Sequence, residues 1–102
     1  MPSYDRPREA DQEQTAAAIR REALEDLAGL LRGQGFTVNV ETYHLAARRA
    51  GGRGVEVWCQ TRSDDGGRWW FTWTGGIPIV EADRPTDAVV AVKMATRRVA
   101  TA

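Results

Sequence analysis

The fold class that this sequence predicts is α+β: a two-layer domain with two helices packed on one face of a three-stranded antiparallel meander, in the order α-β-β-β-α. Three patterns predict it. Apolar residues recur at spacings of three and four over residues 15–31, hydrophobicity alternates with period two in three later stretches, and a second helical stripe follows Pro85. Packing both helical stripes on one side of the sheet buries them in two layers and leaves the other side to solvent.

The elements follow in order. Residues 1–10 hold Pro2, Pro7 and mixed charge and are expected to form a flexible arm, leaving 11–102 as a single domain. The first helix runs from Asp11. Thr15, Ala16, Ile19, Ala23, Leu24, Leu27, Leu30 and Leu31 make its apolar stripe, and Arg20, Arg21, Glu22, Glu25 and Asp26 its polar side. Glu9, Asp11 and Glu13 suit the positive end of the helix dipole, Arg32 suits the negative end, and Gly33 is the expected left-handed terminator. Phe36, Val38 and Val40 alternate with polar residues in a strand that continues toward His44. Leu45 to Arg53, rich in Arg, Ala and Gly, reads as a long connection with helical character at Ala46 to Arg49.

Val55, Val57 and Cys59 define a second strand. Ser63-Asp64-Asp65-Gly66-Gly67 is a hairpin turn signal, with Asp64, Asp65 and Gly66 in the loop and Gly66 left-handed. That turn sets Trp58 opposite Thr72 and Gln60 opposite Trp70 on one face, and Val57 opposite Trp73 and Cys59 opposite Phe71 on the other. Thr74-Gly75-Gly76 ends the third strand, and Ile77 to Val80 runs extended, with Pro78 barring a central strand position. Pro85 and Asp87 suit the start of the second helix, whose stripe is Ala88, Val89, Val92, Ala95, Thr96 and Val99, with Lys93, Arg97 and Arg98 toward its end.

Composition narrows the function. The 102 residues are 42% hydrophobic and 27% charged, and 14 Lys plus Arg balance 14 Asp plus Glu, so no basic excess points to nucleic acid or an anionic membrane. With one cysteine and one histidine, neither an internal disulfide nor a four-ligand zinc site can form, and no metal or cofactor is expected. No apolar run is long enough for a membrane span, and the start lacks the apolar core of a secretory signal, so a cytoplasmic address is expected. A single lysine among many arginines, with abundant alanine, suggests a GC-rich bacterial genome.

No enzyme is predicted. His44 lacks a Ser or Cys partner, Cys59 points into the core, and the Gly51-Gly52-Arg53-Gly54 and Gly75-Gly76 segments lack the strand, loop and helix order of a nucleotide site. The residues that suggest a function sit on the solvent face: Tyr43, Trp58, Gln60, Trp70 and Thr72 as a protein-binding surface, for a partner or a second copy of the chain. Either such a partner covers the indoles, or the arm, the 45–53 connection or the 77–80 segment does. A small ligand in an aromatic cleft is a further reading. Arg48, Arg49 and Arg53 are the candidate nucleic-acid contacts.

The order of helix, three-strand meander and helix resembles the double-stranded RNA-binding domain, over roughly residues 11–100. The resemblance implies contacts from the first helix, from the first strand connection, where Arg48, Arg49 and Arg53 lie, and from a basic start of the second helix. Here that start carries Glu81, Asp83 and Asp87, and the first helix exposes Glu22, Glu25 and Asp26, which argues against RNA. The segment Gly67-Arg68-Trp69-Trp70-Phe71-Thr72-Trp73, with Gly75-Gly76 after it, resembles a group of small actinobacterial proteins that implies no particular chemistry.

Overall fold

A computed structural model of the chain describes residues 9–97. Helix α1 (Glu9–Gly33) is followed by strands β1 (Thr37–Val40), β2 (His44–Arg48), β3 (Gly54–Arg62), β4 (Arg68–Trp73) and β5 (Pro78–Glu81), and then by helix α2 (Pro85–Ala95). The five strands form one antiparallel sheet in sequence order. The α+β class stands, with two strands more than the sequence predicts. The expected arm at 1–10 lies outside the described residues except for Glu9 and Ala10, which belong to α1; Arg98 and Val99 also lie outside the described residues.

Both extra strands have a local cause. The stretch after Val40 does not run on to His44: it folds back at Thr42–Tyr43, where the Glu41 N–H donates to the His44 carbonyl at 2.7 Å. Leu45 and Ala47 then face the core while His44, Ala46 and Arg48 face away, and the segment expected to be a helical connection pairs with β1 on one side and β3 on the other. Ile77 to Val80 supplies the other strand, at the sheet edge, where Pro78 at the first position removes no ladder bond. A bulge sets Phe71 opposite Val80 and Thr72 opposite Pro78.

The hairpin between β3 and β4 has the predicted register, Val57 opposite Trp73, Trp58 opposite Thr72, Cys59 opposite Phe71 and Gln60 opposite Trp70. Ser63–Asp65 form a single 3₁₀ turn and Gly66 follows at φ 64°.

Helix α1 ends differently from expectation. Gly33 is not left-handed; Gly35 is, at φ 91°. The Phe36 N–H donates to the Leu31 carbonyl and the Gly35 N–H to the Arg32 carbonyl, each at 3.0 Å, which is a Schellman cap. Leu24, Leu27, Ala28 and Leu31 are buried, whereas Ile19 and Leu30, expected in the apolar stripe, are each 42% exposed. Helix α2 buries Ala88, Val89 and Val92 and leaves Ala95 exposed, and its C-cap residue Thr96 is fully buried.

The core lies between the helices and one face of the sheet, centred on Leu24, Leu27, Leu31, Leu45, Val57 and Phe71. Trp69 and Trp73, on the same face as Phe71, pack at its margin and are only partly buried. Gly52 marks how closely the 49–53 loop approaches α2, because a Cβ there would stand 2.7 Å from the Thr96 carbonyl oxygen.

Candidate functional site

The opposite face of the sheet carries the candidate site. Strand alternation brings His44 from β2, Trp58 and Gln60 from β3, and Trp70 and Thr72 from β4 to that side. Trp58 and Trp70 are each half-buried, and each indole is held by a hydrogen bond and a ring contact. The Trp58 Nε1–H donates to Thr74 Oγ1 at 3.3 Å, and that hydroxyl donates to Glu56 Oε1 at 3.1 Å. The His44 ring stacks on Trp58, with centroids 4.5 Å apart and planes 24° apart, and its Nε2 lies 3.7 Å from Glu56 Oε2. Trp70 Nε1–H donates to Asp65 Oδ2 at 2.7 Å, and the Arg62 guanidinium lies 5.0 Å from the Trp70 ring centroid. Arg62 is itself tied to Asp64 by two hydrogen bonds, of 3.0 and 2.6 Å. That hydrogen bonding holds the Asp64 carboxyl below the usual carboxylate range and the Arg62 guanidinium above its ordinary value.

Two of the residues assigned to this surface do not present themselves there. Tyr43 sits in the β1–β2 turn, under an arginine from the helix layer. Arg20 of α1 lies 4.6 Å from the Tyr43 ring centroid and 5.3 Å from that of Trp69, and donates to the Cys59 carbonyl at 3.1 Å. The turn after Val40 moves Tyr43 off the sheet face and brings His44 onto it. Thr72 does lie on the face but is fully buried, between Trp58 and Pro78 in the ladder, and its hydroxyl accepts from Gln60 Nε2 at 3.2 Å. It supports the surface from beneath and cannot touch a partner.

Beside the Trp58 network the face dips into a shallow depression of about 670 Å³. Asn39, Ala46 and Gly54 form its small floor, with Arg48, Glu56 and Thr74 around it. His44 was missed as the stacking partner of Trp58, and Arg48 as a residue of the open face. The signal that identifies them is the alternation of Leu45 and Ala47 with their neighbours.

The three candidate nucleic-acid arginines separate. Arg48 faces the depression on the open side. Arg49 turns to the helix side, 5.2 Å from the Phe36 ring centroid, and donates to the Lys93 carbonyl at 3.3 Å. Arg53 is exposed in the intervening loop. Among the described residues no three His, Cys, Asp or Glu side chains converge as metal ligands would, and no helix is long and apolar enough to cross a membrane. Burial pushes the Cys59 thiol up to about 11, against the pull of Arg20, so it is an un-ionised core residue at neutral pH.

No protein-family model, curated protein or solved structure matches the chain. The likeness to the double-stranded RNA-binding topology is therefore neither strengthened nor weakened by relatives, and a functional reading rests on the geometry.

Proposed function

We propose that this chain is a non-catalytic regulatory or adaptor module that binds a protein partner on the open face of its sheet, through Trp58, Gln60 and Trp70. One observation carries the reading: both indoles stand only half-buried on a face that neither helix covers, each engaged by a hydrogen bond and a ring contact with Thr74, His44, Asp65 or Arg62. A surface whose large side chains are immobilised before binding loses little entropy on association, and tryptophans at such positions are frequent hot spots. The neighbouring depression gives a partner side chain somewhere to enter. His44, Glu56 and Thr74 are read as the supports of Trp58, because their polar atoms are engaged with one another and with its indole. A bacterial cytoplasm belongs to this proposal; a single buried, unpaired cysteine is compatible with it.

The alternative, a nucleic-acid-binding domain of RNA-binding-domain topology, draws on Arg48, Arg49 and Arg53. The acids at the start of α2 and along α1 oppose it. Salt separates the two readings, since phosphate contacts weaken steeply with added salt while indole burial does not. The test is purification of the native protein with its bound partner, repeated for Trp58→Ala and Trp70→Ala. Loss of the same protein by at least tenfold in both variants, at low and high salt alike, is the expected outcome. Retention by both variants, or recovery only of salt-labile nucleic acid, overturns the proposal.

A further inference from the structure

The helix layer carries two apolar depressions of opposite charge. One, of about 430 Å³, lies between the middle of α1 and the end of β5, with Ile19, Ala23, Trp69 and Ala82 as its apolar lining. Its rim is net acidic: Glu22 and Asp26 on the helix side, Glu81 and Asp83 on the other, with Arg68 as the one cation among the lining residues. Glu81 is engaged by Arg68 and Arg84, but Glu22, Asp26 and Asp83 form no ion pair among the described residues. The other depression, of about 320 Å³, lies on the outer side of α2, where Val90 is 54% and Met94 66% exposed. Arg49, Lys93 and Arg97 surround it. Arg49 donates to a carbonyl and Lys93 to the Gln34 side chain, so none of these three cations meets a carboxylate among the described residues.

The two basic clusters of the sequence thus meet in space, 44 residues apart in the chain at the Arg49 to Lys93 contact. The acidic and basic depressions lie at opposite ends of α2, whose 11 residues span roughly 16 Å, so they do not neutralise each other within one molecule. Helix-dipole complementarity accounts for Asp87 and Lys93. It does not account for Glu22, Asp26 and Arg49, nor for the aliphatic side chains exposed inside each charged rim.

We propose that a second copy of this chain docks head to tail, seating its Val90 and Met94, rimmed by Arg49, Lys93 and Arg97, in the acidic groove lined by Ile19 and Trp69 of the first. The occupant follows from charge complementarity: an apolar patch with a cationic rim and an apolar groove with an anionic rim occur on the same chain. The contact is heterologous, so each bound copy still offers one free groove or patch and assembly extends beyond a dimer unless it closes into a ring. Each depression is lined by fewer residues than the roughly 20 to 30 per side of a standard interface, so association is weak and concentration-dependent. This contact leaves the sheet face free and is separate from the proposed Trp58 and Trp70 surface.

Sedimentation of the full chain tests it. The wild type is expected to gain mass with concentration and to lose it when salt is raised. The variants Glu22→Lys with Asp26→Lys, and Lys93→Glu with Arg97→Glu, are each expected to stay monomeric while keeping the wild-type circular dichroism. Their equimolar mixture is expected to gain mass to at least that of a dimer, because the intact patch of the first variant meets the intact groove of the second. Trp58→Ala should assemble like the wild type, which keeps failure of the sheet-face reading distinct from failure of this one. A wild type that is monomeric at every concentration, a mixture that stays monomeric, or assembly lost on Trp58→Ala but kept by the charge variants overturns the proposal.

Discussion

On the helix side of the sheet, Phe71 has no exposed surface and is held by packing, whereas one residue earlier in the same strand Trp70 is only half-buried and held by Asp65 and Arg62. The same contrast separates Cys59 and Trp58 on the neighbouring strand. One side is a continuous apolar layer against Leu24, Leu27 and Leu31; the other is a set of aromatic rings with polar groups placed at their edges and faces. The comparison teaches that an aromatic residue can be ordered without being core. Where burial does the ordering, removing the ring leaves a cavity; where hydrogen bonds and stacking do it, removing the ring exposes groups that water can satisfy.

The sharpest way to break this comparison is to truncate the two kinds of ring and measure unfolding in denaturant. Phe71→Ala is expected to cost about 3 to 5 kcal/mol, because the residue is fully buried and the layer cannot close over the space. A cost below that of a surface substitution would show that the helix layer is not the stabilising face.

An intermediate effect comes from alkaline pH. The Cys59 thiol is raised from its ordinary 9.0 to about 11 by burial, so the folded state keeps its proton where the unfolded chain has lost it. Stability is therefore unaffected by this group below pH 9 and falls as pH rises toward 11, by on the order of 2 kcal/mol. Cys59→Ala should abolish that part of the alkaline decline. A decline of the same size in the variant would assign it to other groups.

The smallest expected change is on the open face. Trp58→Ala should cost about 1 to 2 kcal/mol, through the lost stack on His44 and the lost hydrogen bond to Thr74. If its unfolding midpoint drops as far as that of Phe71→Ala, the indole belongs to the core and the two faces are not different in kind.

The hairpin that sets Trp58 and Trp70 on this face was legible in the sequence because a left-handed glycine after two aspartates specifies both the turn and the register. The preceding hairpin was not, since Glu41-Thr42-Tyr43 contains no glycine or proline, and the strand after it is built from alanine and arginine, which favour strands weakly. That one turn decided the candidate site. Because side chains alternate along a strand, moving the fold-back point exchanged Tyr43 for His44 on the open face and split Arg48 from Arg49. The burial of Thr72 was equally hidden, because it depends on what stands on both sides of it in the ladder.

By itself the sequence determined the α+β class, the two helices and the pairing of β3 with β4, all of which depend on periodicity and turn chemistry over a few neighbouring residues. The tertiary structure decided which apolar residues of α1 are buried, leaving Ile19 at the acidic groove, and it brought Arg49 to the carbonyl of Lys93. These depend on where α1 and α2 lie on the sheet, which is set by the shared packing of residues far apart in the chain and leaves no periodic mark in any one segment.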